Sequence, residues 1–69
     1  MVMHNVISSN LVAVGYNPAN LTLRIQFKNG TYDYFNVPEH IYRGLMNASS
    51  HGEYHARHIK NAFRYQKIY

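Results

Sequence analysis

Cysteine and tryptophan are absent from this 69-residue chain, proline occurs twice, and only three residues are acidic. Without cysteine there is no disulfide framework, no thiolate metal site and no cysteine nucleophile. Packing or association must hold the chain together, and a reducing compartment suits it. No apolar run approaches the roughly 18–20 residues that span a bilayer. Residues 1–10, which include His4, Asn5, Ser8 and Ser9, lack the charged start and apolar middle of a signal peptide. The chain therefore reads as cytoplasmic. The shortage of carboxylates leaves seven Lys+Arg in excess, for a net charge of +4, with five His able to add to it as pH falls. A chain of this length holds one domain, and residues 10–69 are read as that domain. Residues 1–9 fray or cover an edge, since Val2, Met3, Val6 and Ile7 are too few to set a period.

Residues 21–28 alternate without error. Leu21, Leu23, Ile25 and Phe27 point one way, and Thr22, Arg24, Gln26 and Lys28 the other, as in a half-buried strand. Asn29-Gly30 follows, a dipeptide suited to the positive φ angles of a type I′ hairpin turn. With Lys28 facing Thr31, Phe27 pairs with Tyr32 and Ile25 with Tyr34, so both tyrosines face the core. Asn17-Pro18-Ala19-Asn20 suits a type I turn closing a second hairpin, in which Val14 opposes Leu23 and Val12 opposes Ile25. That register sends Val12, Val14 and Tyr16 inward and leaves Leu11, Ala13 and Gly15 outside.

After Asn36 the period changes. Ile41, Tyr42, Leu45 and Met46 form a helical stripe, with Pro38 and Glu39 suited to its first turn, which predicts a helix over 38–47. Ser50-x-x-Glu53 has the form of a capping box and opens a second helix over 51–62. Residues 63–69 either extend that helix or lie as a strand against the sheet. The expected fold is α+β in two layers, a three-stranded antiparallel meander packed against two C-terminal helices.

Several of these segments together resemble the KTSC domain, a short module that stands alone in bacterial and phage proteins and ends some lysyl-tRNA synthetases. The resemblance rests on Ser8-Ser9-Asn10 before Val14-Gly15-Tyr16, on Phe27-Lys28-Asn29-Gly30, and on Tyr32-x-Tyr34 followed by Val37-Pro38. Ala48-Ser49-Ser50-x-Gly52-x-Tyr54, Arg57-His58-Ile59 and a basic aromatic tail continue it. It implies a fold and, through the synthetase context, a suggested affinity for RNA. In place of a Tyr-Pro-like stop, this chain has Asn61-Ala62-Phe63, which favours a longer second helix.

The candidate contact residues are cationic. Arg57, Lys60, Arg64 and Lys67 are spaced to share one face of a continued helix, with Tyr65 interleaved and Arg24 and Lys28 on the outer face of the sheet. Such a stripe would track phosphates while Tyr65 stacks on bases, and three or four phosphate contacts would give log K against log salt a slope of roughly −3 to −4. The same cations also complement a helix C-terminus and keep a surface solvated. His51 and His55 have the spacing of helical zinc ligands, yet no cysteine or free carboxylate completes a set, so no metal or other cofactor is expected; His58 is placed half-buried near Tyr54 or Ile59. Asp33, Glu39 and Glu53 each have a structural place and none pairs for acid–base work, so the chain is not expected to be an enzyme. The expected function is a non-catalytic accessory module for RNA or single-stranded nucleic acid. The alternative is a protein-interaction or homodimeric assembly module docking through strand edges or through Leu11 and Phe35.

Overall fold

A computed structural model describes residues 1–69 and sets the alternating segment in the middle of a sheet. The strands are β1 (His4–Asn5), β2 (Leu11–Asn17), β3 (Thr22–Phe27), β4 (Gly30–Tyr34) and β5 (Tyr65–Lys67). They lie in the order β1-β2-β3-β4-β5, every pair antiparallel. Helices α1 (Glu39–Asn47) and α2 (His51–His58) fall between β4 and β5 and cover one face. The architecture is thus two-layer α+β, but the sheet has five strands where the sequence pattern predicts three. The two added strands are short and exposed, and their side chains carry no apolar alternation to announce them. Backbone pairing recruits them: Val6 N–H donates to Val12 O at 3.1 Å on one edge, and Phe35 N–H to Arg64 O at 2.9 Å on the other.

Both hairpin registers differ from expectation by two residues. Phe27 pairs with Gly30, Ile25 with Tyr32 and Leu23 with Tyr34, while Val14 meets Ile25 and Tyr16 meets Leu23. A slip of two preserves the faces, so hydrophobic alternation cannot detect it and the turns decide. The β3–β4 turn is Lys28-Asn29, with the positive φ (157°) on Gly30, so the type I′ turn at Asn29-Gly30 is not formed. Lys28 N–H is taken by Asn10 O at 3.1 Å instead of facing Thr31. In the other loop, Asn17 Oδ1 accepts from Ala19 N–H at 3.0 Å, and Leu21 takes φ 58°.

A bulge between Leu11 and Ala13 reverses the expected orientation of the start of β2. Leu11, placed outside by strict alternation, is 1% exposed and joins Val14, Leu23, Ile25, Tyr34, Val37, Leu45 and Ile59 in the core. Val12 takes no part in that cluster. Ser8 Oγ accepts from Leu11 N–H at 3.3 Å, and the adjoining Asn10 side chain lies where a Cβ on Gly52 would stand. Only glycine lets the start of α2 come this close to the Ser8–Asn10 loop.

The helix ends follow local chemistry. Ser50 Oγ accepts from Glu53 N–H at 3.2 Å, the forward half of the predicted capping box. Its return half is replaced, because the Glu53 carboxylate pairs with Arg57 at 3.3 Å. Tyr16 and Tyr42 stack with centroids 4.8 Å apart and planes 9° off parallel, joining β2 to α1. The second helix stops at His58, four residues before the expected Ala62: Ile59 leaves helical geometry at φ −121° and ψ −48°. Ile59 N–H and Lys60 N–H converge on His55 O at 3.0 and 2.9 Å, and the chain turns back toward β4. Ile59 is fully buried, and sinking that side chain is what ends the helix.

Candidate functional site

The helix pair covers the centre of the sheet and leaves the β4–β5 end of that face open. There Phe27, Tyr32, Tyr34 and Tyr65 form a cup of about 240 Å³ with His55, Lys60 and Asn29. Cross-strand pairing assembles it: Tyr65 sits opposite Tyr34, and Lys67 opposite Tyr32, on the helix-covered face. The Tyr65 ring lies 5.7 Å from Tyr34 at 39° and 5.9 Å from Tyr32 at 60°, while Phe27 meets Tyr32 edge-on at 5.8 Å. Tyr34 is 4% exposed and Tyr65 58%, so the cup runs from the core to solvent.

His55 forms the inner wall. Its Nε2 and the Tyr34 hydroxyl share a buried hydrogen bond of 2.8 Å, and its ring packs edge-on to Phe27 at 5.0 Å. Burial, reinforced by the nearby Lys60 charge, holds the His55 imidazole below the ordinary histidine range. Burial pushes the Tyr34 phenol up to about 12, with Tyr32 and Tyr65 adding to the shift. The wall therefore carries no charge at neutral pH, and Lys60 is the only cation lining the cup.

The His55 shift predicts a pH dependence of stability. Between the ordinary histidine value of 6.5 and the lower folded value, the unfolded chain binds more protons than the native one, so acid favours unfolding in that window. Urea midpoints should fall as pH drops through 6.5, and His55→Gln should flatten that part of the profile. An unchanged slope in the variant would refute the assignment.

The sequence-predicted cations do not form one helical face. Arg57 lies in the last turn of α2, Lys60 in the turn beyond it, Arg64 just before β5 and Lys67 within β5. Arg57 is paired with Glu53. On the opposite face, Arg24 is clamped by Asp33 through bonds of 2.7 and 2.9 Å, so its guanidinium fork is occupied. Lys28, Lys60, Arg64 and Lys67 are exposed and make no ion pair within 4.0 Å. Tyr65 does line the cup with Lys60, through a strand rather than a helix, and Lys67 stands opposite Tyr32 on that strand. Sequence reasoning missed Phe27, Asn29 and His55, and it favoured a core role for Tyr32 and Tyr34 over base stacking. Tyr34 has that role, and it lines the cup as well.

The histidines are distributed differently from expectation. His55 is the buried one, whereas His58 is exposed and packs on Tyr54 with centroids 4.5 Å apart. His51 Nδ1 bonds Leu45 O at 2.7 Å. No group of three or more His, Asp or Glu side chains is gathered as a metal-ion site. Of the outer-face residues considered for docking, Leu11 is buried and Phe35 half-buried. A second cleft of about 230 Å³ lies between α2 and the Ala48–Ser50 segment that precedes it, beside Tyr54 and His58, and the Glu53–Arg57 pair neutralises its charge internally. No helix is long and apolar enough to cross a membrane.

These features define a small sheet-and-helix-pair module with one aromatic cup at its open end. The chain belongs to the KTSC domain family, whose model matches residues 7–63. It is similar over nearly its whole length to a KTSC domain protein from Yersinia pestis, whose crystal structure superposes with a TM-score of 0.96 at 39% identity, covering 99% of this chain and 97% of that one. It is 38% identical over 63 residues to a protein of Tsukamurella paurometabola, covering 90% of this chain and 94% of that protein. It is also 38% identical over 61 residues to a lysine–tRNA ligase of Nostoc, covering 87% of this chain and 11% of the ligase. The chain thus spans about a tenth of the length of the ligases it matches.

Proposed function

We propose that this domain is a non-catalytic module that binds RNA or other single-stranded nucleic acid, taking a base in the aromatic cup and phosphate on the lysines around it. The observation that carries this reading is the half-open cup itself, with aromatic walls and Lys60 at its side. Rings exposed at one end offer stacking surface, and an ammonium beside them selects ligands that join a π-face to an anion. No carboxylate lines the cup, and the chain's net charge of +4 favours the encounter. The lysine–tRNA ligases that carry a related segment act, by their name, on an RNA.

The geometry changes the expected salt dependence. Lys60 lines the cup and Lys67 stands opposite Tyr32 beside it, whereas Arg24 lies on the opposite face and Arg57 is outside the lining. Two phosphate contacts to a single strand give a slope near −1.4 in log K against log salt, shallower than the stripe model requires. Fluorescence titration of a mixed-sequence RNA oligomer at several salt concentrations measures it. Lys60→Glu should reduce affinity about tenfold or more at low salt, whereas Arg57→Glu should have a much smaller effect. Equal losses in the two variants would locate binding elsewhere than the cup.

A further inference from the structure

The aromatic side chains of this domain are not laid out for a continuous strand of stacked bases. A stacking platform presents successive rings along an open sheet surface. Here the outer face of the central strands presents Arg24, Gln26 and Asp33, and the cup, with Tyr65 as its most exposed ring, stands at one end of the covered face. Tyr65 is tilted 39° from Tyr34 and 60° from Tyr32, which makes a wedge and leaves no second parallel slot beside it. The half-open cup, of about 240 Å³, is smaller than the roughly 300–1,000 Å³ of sites for drug-sized ligands. A wedge of that size takes one ring system.

The charge around it selects the rest of the ligand. Lys60 lines the cup, and Lys67, opposite Tyr32 in the β4–β5 register, lays its side chain over Gly30, the cross-strand neighbour of Phe27. A cationic ligand such as a quaternary ammonium, which aromatic boxes also bind, would meet these ammonium groups without a carboxylate to offset them. A planar ring bearing a phosphate meets complementary charge instead. Asn29, at the rim, offers an amide donor and acceptor to the edge of the ring.

Building on the nucleic-acid reading, we infer that the cup is a single-nucleotide pocket: it holds one purine ring against Tyr65, with that nucleotide's phosphate between Lys60 and Lys67. A purine is preferred because its larger face gives more stacking contact than a pyrimidine's. The same unit binds whether free or within a strand, since every contact named belongs to one nucleotide.

Amide-resolved NMR titration of the whole chain with AMP, adenosine, ribose 5-phosphate and UMP tests this, with an A-rich RNA oligomer in parallel. AMP should shift resonances of Phe27, Tyr32, Tyr34, His55 and Tyr65. It should bind about tenfold more tightly than ribose 5-phosphate and severalfold more tightly than adenosine or UMP. Lys60→Ala should bring AMP closer to the affinity of adenosine, and Lys60→Ala combined with Lys67→Ala should remove the difference. Ribose 5-phosphate matching AMP, UMP matching AMP, or AMP shifts falling outside the cup would each overturn the inference. If the oligomer binds and AMP does not, the single-nucleotide pocket fails while nucleic-acid binding stands. If AMP binds and the oligomer does not, the pocket stands as a site for free nucleotides and the nucleic-acid reading fails. Binding of neither removes both.

Discussion

Replacing Ile59 by Ala should lower the stability of this domain by about 2–5 kcal/mol, the usual cost of truncating a fully buried isoleucine. For 69 residues the total available is on the order of 3.5–10 kcal/mol, so the variant loses much of its folding free energy. The effect should also be unevenly distributed. Ile59 is 0% exposed and stands where α2 ends, between His55 on the inner wall and Lys60 at the side of the cup. Its burial draws the chain out of the helix and toward β4, where β5 docks. Amide exchange in Ile59→Ala should therefore accelerate more for Tyr65–Lys67 than for β2 and β3. Ile59→Val, which removes one methylene, should cost about 0.5–1.5 kcal/mol and keep β5 protected. A loss below about 1 kcal/mol for the alanine variant would mean that the helix stop has another cause.

That helix stop marks the limit of what the sequence discloses. The central hairpins and the position of each helix follow from alternation, turn residues and the Ser50 cap, because these signals act within a few residues of themselves. The inward direction of Tyr32 and Tyr34 was legible for the same reason, and it survived a two-residue error in register because the period of a strand is two. Three features were hidden. Leu11 enters the core through a bulge, and one extra residue leaves no trace in composition. Helix α2 stops at His58 although residues 59–62 contain no glycine or proline. There the burial of Ile59 and the pairing of the tail with β4 outweigh local preference. His55 looked like a solvated helical histidine, and only the tertiary fold brings it against Tyr34 and Phe27.

The cup was hidden for a related reason. Its rings come from β3, β4 and β5, and its polar groups from α2, the turn after it and the β3–β4 turn. No spacing within one element could have assembled them. The sequence shows cations interleaved with aromatic residues near the C-terminus, but the helix that would align them does not form beyond His58. On a strand the same residues alternate: Tyr65 and Lys67 share the covered face with Tyr32 and Tyr34, and Gln66 points away with Asp33. The change of element leaves Tyr65 beside Lys60, sets Lys67 opposite Tyr32, and removes Arg57, which is paired with Glu53 and lies outside the cup.

Tyr65→Ala separates binding from folding. Tyr65 is 58% exposed on a three-residue edge strand, so truncating its ring removes little buried area. Tyr34, at 4% exposure and bonded to His55, could not be altered without disturbing the core. Loss of one base–aromatic stack costs about 1–3 kcal/mol, so affinity for an RNA oligomer should fall by roughly 5- to 150-fold. The unfolding free energy from urea titration should fall by no more than about 1 kcal/mol, the span of β-propensity and well short of Ile59→Ala. Tyr65→Phe retains the π-face and should restore most of the binding, which distinguishes stacking from a contact made by the hydroxyl. The salt slope should stay near −1.4 in all three proteins, because the lysines are untouched. If Tyr65→Ala bound RNA as tightly as the unaltered chain, the base would not lie in the cup, and the nucleic-acid reading would lose the observation on which it stands.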